Sequence, residues 1–264
     1  LSFHAAGLAA ITSGEMDFIG LDNYVTVFTD PLYRRVALTT IVFGLACVAA
    51  TMVLGVASAL LLNRPFWGRG LLAVAVLLPW AMPRIAAAIV WRWLFDDQYG
   101  LVNWTLAAVG IDGALGFAWF NDRLTAFAAI GVVVVWQSFP FIALSVLAGL
   151  QSISQDVLDA ARLDGAGAWQ RLRLVILPLL KPLLLVLVVI STIWDFKIFD
   201  QVFAMTNGGG PARSTEVLSI TVYREAFTRL DFGLGSALAM VMFLILLAFT
   251  VAYIRLIRDE EEVA

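Results

Sequence analysis

The chain is poor in the residues from which most soluble active sites are built. Among its 264 residues there is one cysteine, Cys47, and one histidine, His4. A single cysteine inside an apolar run excludes an intrachain disulfide. A single histidine excludes a multi-histidine metal site, and it leaves any Ser-His or Cys-His nucleophile system with one candidate near the N-terminus. Charge is scarce as well. Asp, Glu, Lys and Arg make up 14% of the chain, against roughly a quarter in soluble domains. The net charge of −3 is too small to imply a nucleic-acid partner. The lysines are Lys181 and Lys197, and neither follows a glycine-rich phosphate loop. The chain therefore has no phosphate cradle for ATP, and any work it does is driven by another chain or by an ion gradient.

What it has in abundance is apolar sequence: 61% of residues are hydrophobic and the mean hydropathy is +0.91. Repeated apolar runs long enough to cross a bilayer predict an all-α, polytopic transmembrane helical bundle. The chain opens on Leu1-Ser2-Phe3 without an initiator Met, and we expect these to be the last residues of a preceding span. Residues 1–30 comprise that helix end and an extracytoplasmic segment, His4 to Asp30. Within 31–257 we expect five complete spans, at roughly 32–62, 71–95, 124–150, 179–203 and 232–257. Residues 96–123 and 205–230 lie outside, with short surface helices at 102–109 and 217–227. Residues 258–264 form a cytoplasmic tail. Eight basic residues (Arg64, Arg69, Arg162, Arg171, Arg173, Lys181, Arg255 and Arg258) fall in the short inner segments. The outer segments hold nearly as many, but they are much longer, so basic density sets this orientation.

One polar stretch interrupts the apolar pattern, Ser154 to Pro178. Ser154 suits an N-cap and Asp156 the first helical turn, where the dipole favours a carboxylate. Val157, Leu158 and Ala161 follow at helical spacing, and Gly165 and Gly167 break the helix. A second amphipathic piece runs from Trp169 to Ile176. Two short helices hinged at glycines make a rigid cytoplasmic knob, of the kind used for docking. The stretch resembles the EAA loop of ABC-importer permeases: Asp159-Ala160-Ala161 stands for Glu-Ala-Ala, Gly165 is at the family spacing, Val175 replaces the family Ile, and Leu177-Pro178 closes the motif. Asp in place of Glu keeps the charge and shortens its reach by one methylene. Thr206 to Pro211 is similar to the family's Thr-Asn-Gly-Gly-Pro element with one extra glycine. The run Gly208-Gly209-Gly210 reads as a tight turn, since no Lys-Ser/Thr follows it. Gly233, Gly235 and Ala237 suit close helix packing.

Polar groups inside the bilayer are costly and by default functional. Ser191, Trp194, Asp195 and Ile198 fall at i, i+3, i+4 and i+7, which puts them on one helix face. A carboxylate, a hydroxyl and a flat ring on one face suit a sugar. Trp136 to Phe141 repeats that mix in the preceding span. The plainer alternative pairs Asp195 with Lys197 or Arg84 and leaves the aromatics as core. In the maltose-type permeases that the chain resembles from about Phe18 to Ile257, the helices flanking the EAA loop supply the sugar contacts. The resemblance carries those positions onto Trp136, Ser138, Phe141, Ser191, Trp194, Asp195 and Ile198, with Asp195 a carboxylate where the family has an amide.

That resemblance implies a type I ABC importer permease fold and no catalysis by the chain itself. It implies a second homologous permease, two ATPase subunits that bind the ATP, and an extracytoplasmic binding protein delivering a di- or oligosaccharide. No cofactor or metal is expected, and the location is a bacterial or archaeal plasma membrane. Three other classes stay open from sequence: an ABC permease for a sugar-phosphate, polyol or amino acid; an ion-coupled secondary transporter using Asp195, Arg84 and Lys197 as a relay; and an intramembrane hydrolase, which the scarcity of histidine disfavours.

Overall fold

A computed structural model describes residues 1–261 of the protein. After a short antiparallel pairing of β1 (His4–Ala5) with β2 (Asp17–Phe18), the chain is helical. In order the helices are α1 (Leu8–Ser13), α2 (Asp22–Thr29), α3 (Pro31–Leu62), α4 (Arg69–Ala81), α5 (Arg84–Leu94), α6 (Leu101–Ala108), α7 (Arg123–Ser152), α8 (Gln155–Leu163), α9 (Ala168–Arg171), α10 (Leu177–Phe196), α11 (Asp200–Thr206), α12 (Leu218–Tyr223) and α13 (Phe232–Glu261). Of the tail expected at 258–264, α13 continues to Glu261, and residues 262–264 lie outside the described residues.

Among the described residues, four helical runs are long and apolar enough to cross a membrane: Pro31–Leu62, Arg123–Ser152, Ala168–Thr206 and Phe232–Arg255. The segment expected to span at 71–95 is different. It is α4 and α5, bent by 100° at a short break, and it makes a fifth span only if the bent pair crosses as one. The sequence explains the break. Pro83 cannot donate to the preceding turn, and it disfavours a helical Met82. Met82 is extended, with ψ 139°. Its carbonyl accepts a hydrogen bond from Gln137 Nε2 at 3.0 Å, which answers the need to satisfy every freed backbone group in lipid.

The chain divides into two compact units whose boundaries fall within the long helices or at helix breaks. One comprises Leu1–Ala46, Pro83–Val134 and Trp194–Ala248. Its core gathers Val27, Tyr33, Val36, Leu218, Leu234, Leu238 and Val241. The N-terminal segment is pinned into this unit. Asn23 Nδ2 donates to the carbonyls of Ser2 and His4 at 3.0 and 3.1 Å, and the amide of Phe232 donates to Ala6. Gly233 is needed there, because a Cβ would stand 2.4 Å from the His4 carbonyl oxygen. The small residues at the start of α13 therefore admit the N-terminal strand as well as helix packing. Residues 217–227, expected as a surface helix, are helical but bury one face, while Tyr223 and Phe227 stay exposed. Val217, Leu218, Ile220, Thr221 and Glu225 are buried, and the buried amide of Leu218 donates to Thr40 Oγ1 of α3 at 2.8 Å.

The other unit comprises Cys47–Met82, Val135–Ile193 and the chain from Phe249 onward. Its core is Ala59, Ile142, Val146, Leu150, Leu180 and Leu187. α3 and α7 meet closely where Gly55 faces Ile142, and a Cβ at Gly55 would fall 2.5 Å from two Ile142 carbons. Gly55→Ala must force that contact open, an overpacking cost of about 1–3 kcal/mol. Gly70→Ala in α4 meets nothing within 4 Å and gains helix propensity. Thermal unfolding in detergent is expected to fall for Gly55→Ala and to hold or rise for Gly70→Ala; equal midpoints would refute the close approach.

Candidate functional site

The knob expected between Ser154 and Pro178 is braced by its own side chains. Ser154 caps α8 by accepting from the Asp156 amide at 3.3 Å. α8 ends in paired bonds, Ala166 N to Ala161 O and Gly165 N to Arg162 O, each 3.0 Å. That is a Schellman closure, which needs a left-handed residue at the turn, and Gly165 has φ 79°. The turn is then held from beyond. Gln170 Oε1 accepts from the Gly167 amide at 2.8 Å, and Arg171 Nη1 donates to the Ala166 carbonyl at 2.8 Å. The second amphipathic piece is not a separate helix. α9 passes through a π-helical turn, Leu172–Ile176, directly into α10. Pro178 lies four residues after Leu174, so its ring crowds that carbonyl and opens the turn.

The knob presents an uncommon surface. Asp159 and Ala160 are exposed and Ala161 is buried beneath them. Leu163, Trp169 and Leu174 stand out as exposed large apolar side chains. Asp159 pairs with Arg162 one turn on, each side chain 57% exposed. Leu177 is half-buried and Pro178 exposed at the start of α10.

The seven residues expected to line a sugar path are distributed over α7, α10 and the chain just after it. Trp136, Ser138 and Phe141 lie on α7, with Phe141 stacked on Trp80 of α4 at 6.2 Å. Trp80 was not foreseen, because it is far from α7 in sequence. Gln137, in the same stretch, braces the α4–α5 break instead. Ser191, Trp194 and Asp195 keep their i, i+3, i+4 spacing within α10. Ile198 does not join that face, because α10 ends at Phe196 and α11 starts at Asp200. It is buried in the break, where its carbonyl accepts from Ser219 Oγ.

Asp195 is 4% exposed and its Oδ2 has no hydrogen-bond partner among the described residues. It forms no ion pair with Lys197 or Arg84, although Arg84 is the cation whose field reaches it. Its position in the last turn of α10 also sets a carboxylate against the negative end of the helix dipole. The fold does not repay these costs locally.

A second polar cluster escaped the sequence reading altogether. Glu216 and Glu225 have side chains 0% and 1% exposed. Glu216 accepts from Arg213 Nε at 2.7 Å and pairs with Arg224. Glu225 takes both of its oxygens to Arg229 Nη1 at 3.1–3.2 Å. Arg224 also donates to the Gly208 carbonyl, and Arg92 of α5 donates to Ala204 O and Asn207 Oδ1. The three glycines at 208–210 all have positive φ. Their amides are spent on Phe203 O, Thr206 Oγ1 and Thr206 O, so the run is a clamped turn with no donor left for a phosphate. Ala212 and Arg213 sit at φ 49° and 61°, a strain of roughly 1–2 kcal/mol per residue that the ion pairs hold in place. The available signal was two glutamates flanking an otherwise apolar helix.

With this geometry in hand, comparison with known proteins places the chain. Residues 51–259 match the family described as binding-protein-dependent transport system inner membrane component, and the chain belongs to it. Members are permease subunits of ABC transporters: multi-pass membrane components that translocate and are not enzymes. The chain is 38% identical over 265 residues, 99% of its length and 80% of the relative's, to the diacetylchitobiose uptake system permease protein DasB of Streptomyces coelicolor. It is 37% identical over 241 residues, 91% of its length and 80% of the relative's, to the trehalose/maltose transport system permease protein MalF of Thermococcus litoralis. In fold it resembles a chain of a bacterial ABC transporter that imports the acidic polysaccharide alginate, with TM-score 0.82 and 19% identity over 96% of this chain and 90% of that one.

Glu216→Ala would leave the two arginines it holds around an empty, water-poor site. Breaking a buried pair in this way costs about 3–5 kcal/mol, whereas Arg162→Ala breaks the exposed Asp159–Arg162 pair and costs under about 1 kcal/mol. Unfolding midpoints in detergent are expected to drop strongly for the first and little for the second. Equal, small losses would mean that the cluster does not hold the loop.

Proposed function

We propose that the chain is the membrane-spanning subunit of an ABC importer for a di- or oligosaccharide. In this reading an extracytoplasmic binding protein delivers the sugar and a second, homologous permease completes the path. Two ATPase subunits bind the ATP and dock on the Ser154–Pro178 knob from the cytoplasm of a bacterial or archaeal cell. The observation that carries the reading is the knob itself, a self-braced turn that presents Asp159 and exposed Leu163, Trp169 and Leu174. An exposed apolar cluster beside a charge marks an interaction surface. The sugar class is supported by relatives whose names specify diacetylchitobiose and trehalose/maltose over nearly the whole chain.

Transport proceeds by alternating access. ATP-driven closure of the ATPases acts on the knob, whose contacts differ between the inward- and outward-open states, and only such a difference can shift the equilibrium. Because α9 runs through the π-turn into α10 without a loop, displacement of the knob is passed into the helix that carries Ser191, Trp194 and Asp195. These residues, with Trp136, Ser138 and Phe141, contact the sugar, and the buried Ile198 supports the break behind them. The carboxylate of Asp195 accepts from its hydroxyls, and the Trp faces receive its C–H surface.

Two measurements test this. Asp159→Lys sets a cation at the docking surface, where a like-charge contact costs several kcal/mol, and Gly165→Val strains the φ 79° turn by about 1–2 kcal/mol. Both variants are expected to keep the membrane bundle folded. Both should lose co-purifying ATPase, or retain it and hydrolyse ATP without sugar uptake in vesicles. Parental uptake in both would remove the knob as the coupling element. Separately, Asp195→Ala deletes a charged hydrogen-bond acceptor worth about 1.5–3 kcal/mol and is expected to cut uptake about tenfold or more while assembly persists. Normal uptake would take Asp195 out of the sugar path.

A further inference from the structure

A cavity of about 500 Å³ opens where the end of α5 meets the loop that leads into α7. It lies at the N-terminal end of α7, whereas the docking knob follows that helix's C-terminal end. None of the seven sugar-path residues lines it. Its volume falls in the range of about 300–1,000 Å³ typical of small-molecule pockets.

The lining is mixed in a telling way. Trp93, Trp119 and Phe120 supply ring surface, and Arg92, Asp97 and Asn121 supply polar groups. Trp93 is 75% exposed. The floor is rigid. Phe95 is buried and meets Trp119 edge-on at 5.2 Å and Phe120 at 6.4 Å. Trp119 Nε1 donates to Asn103 Oδ1 at 2.6 Å, and Asn103 Nδ2 donates to the Phe117 carbonyl at 3.0 Å. Asp96 is occupied in closing the turn after α5, with Oδ1 accepting from the Gln98 and Tyr99 amides at 2.9 Å. Arg92 is held by Ala204 and Asn207, which fixes the direction of its guanidinium. The side chains of Asp97 and Asn121, by contrast, have no partner among the described residues.

A cation would call for acceptors alone, and an acidic ligand for donors alone. Here a carboxylate, an amide and a guanidinium line the same space as the aromatic rings, so acceptors and donors are both present beside flat apolar surface. A sugar matches this arrangement: each hydroxyl both gives and takes a hydrogen bond, and the ring's C–H face lies flat on an indole. We propose that this cavity is a saccharide subsite at the outer mouth of the path, with Trp93 the stacking platform and Asp97 and Asn121 the hydroxyl partners. It would hold a di- or oligosaccharide after release from the binding protein and before entry between the spans. The proposal rests on the sugar reading above, and its test separates the two.

The assembled transporter in lipid nanodiscs is photolabelled with a diazirine-tagged glucose disaccharide and, in parallel, a diazirine-tagged N-acetylglucosamine disaccharide. Labelled peptides are then mapped by mass spectrometry. Label is expected on the 93–97 or 118–121 peptides with at least one probe, competed by the untagged sugar. It should fall about tenfold, the equivalent of about 1.4 kcal/mol, in Trp93→Ala and in Asn121→Ala, and be retained in Trp93→Phe. The phenylalanine variant keeps a ring at the platform and reports on assembly. Competed label confined to 136–141 and 191–198 would remove the outer subsite and leave the sugar reading standing. Absence of competed label anywhere with both probes would overturn both. Outer label that resists competition, or that survives both alanine variants, would also overturn the subsite.

Discussion

A backbone carbonyl freed inside an apolar helix must find a donor, and this constraint shapes most of what is distinctive in the fold. Two breaks raise it. At Met82–Pro83 the donor is the Gln137 side chain of α7. Between α10 and α11 it is Ser219, which serves the Ile198 carbonyl. The turn after α11, in the outer segment, is clamped by a pair of arginines, Arg92 on Ala204 and Arg224 on Gly208. In water such groups would be solvated at no structural cost. In a bilayer each unsatisfied one costs several kcal/mol, so a permease can bend its spans only where a long-range side chain is committed to the bend. The bends are therefore defined features of this sequence, and each depends on a donor distant in the chain.

That dependence explains what could be read in advance. The spans at 32–62, 124–150 and 232–257 follow from run length alone, and α3, α7 and α13 cover them. The local structure of the Ser154–Pro178 knob was legible because its determinants are local. Ser154, Gly165 and Gln170 act within a few residues of themselves, and periodicity and capping rules see that far. The fate of Gln137 was not legible, because it is fixed by a carbonyl 55 residues away. The four-residue face at 191–198 failed at its last member for a related reason. Helical spacing was extended across Lys197, where the chain leaves the helix, and no local signal marks the exit.

The charges after α11 misled for a different reason. Arg213, Glu216, Arg224, Glu225 and Arg229 have the composition of a solvated loop, and an isolated glutamate is almost never fully buried. Two of them are buried because three arginines close around them, and that arrangement exists only once residues 213–229 have folded back on themselves. The same folding buries one face of the 217–223 helix. Burying ions in this way is weak evidence of stability in itself, since well-packed hydrophobic residues would often serve as well. Its consequence here is directional. The pairs fix the strained Ala212–Arg213 turn and the glycine run in one arrangement, where an apolar loop of the same length would have several.

Asp159 belongs to the opposite regime. Its partner Arg162 is on the same helix, both side chains are more than half exposed, and an exposed pair of this kind is worth under about 1 kcal/mol. In the isolated chain the carboxylate is therefore neither buried nor strongly held. In the proposed coupling, a cation from the ATPase would take it from Arg162 at small cost, and docking would then remove water and strengthen the new pair. The permease thus keeps its tightly held charges where a fixed loop is needed. It leaves a loosely held one on the exposed surface of the knob, where the proposed docking would exchange its partner.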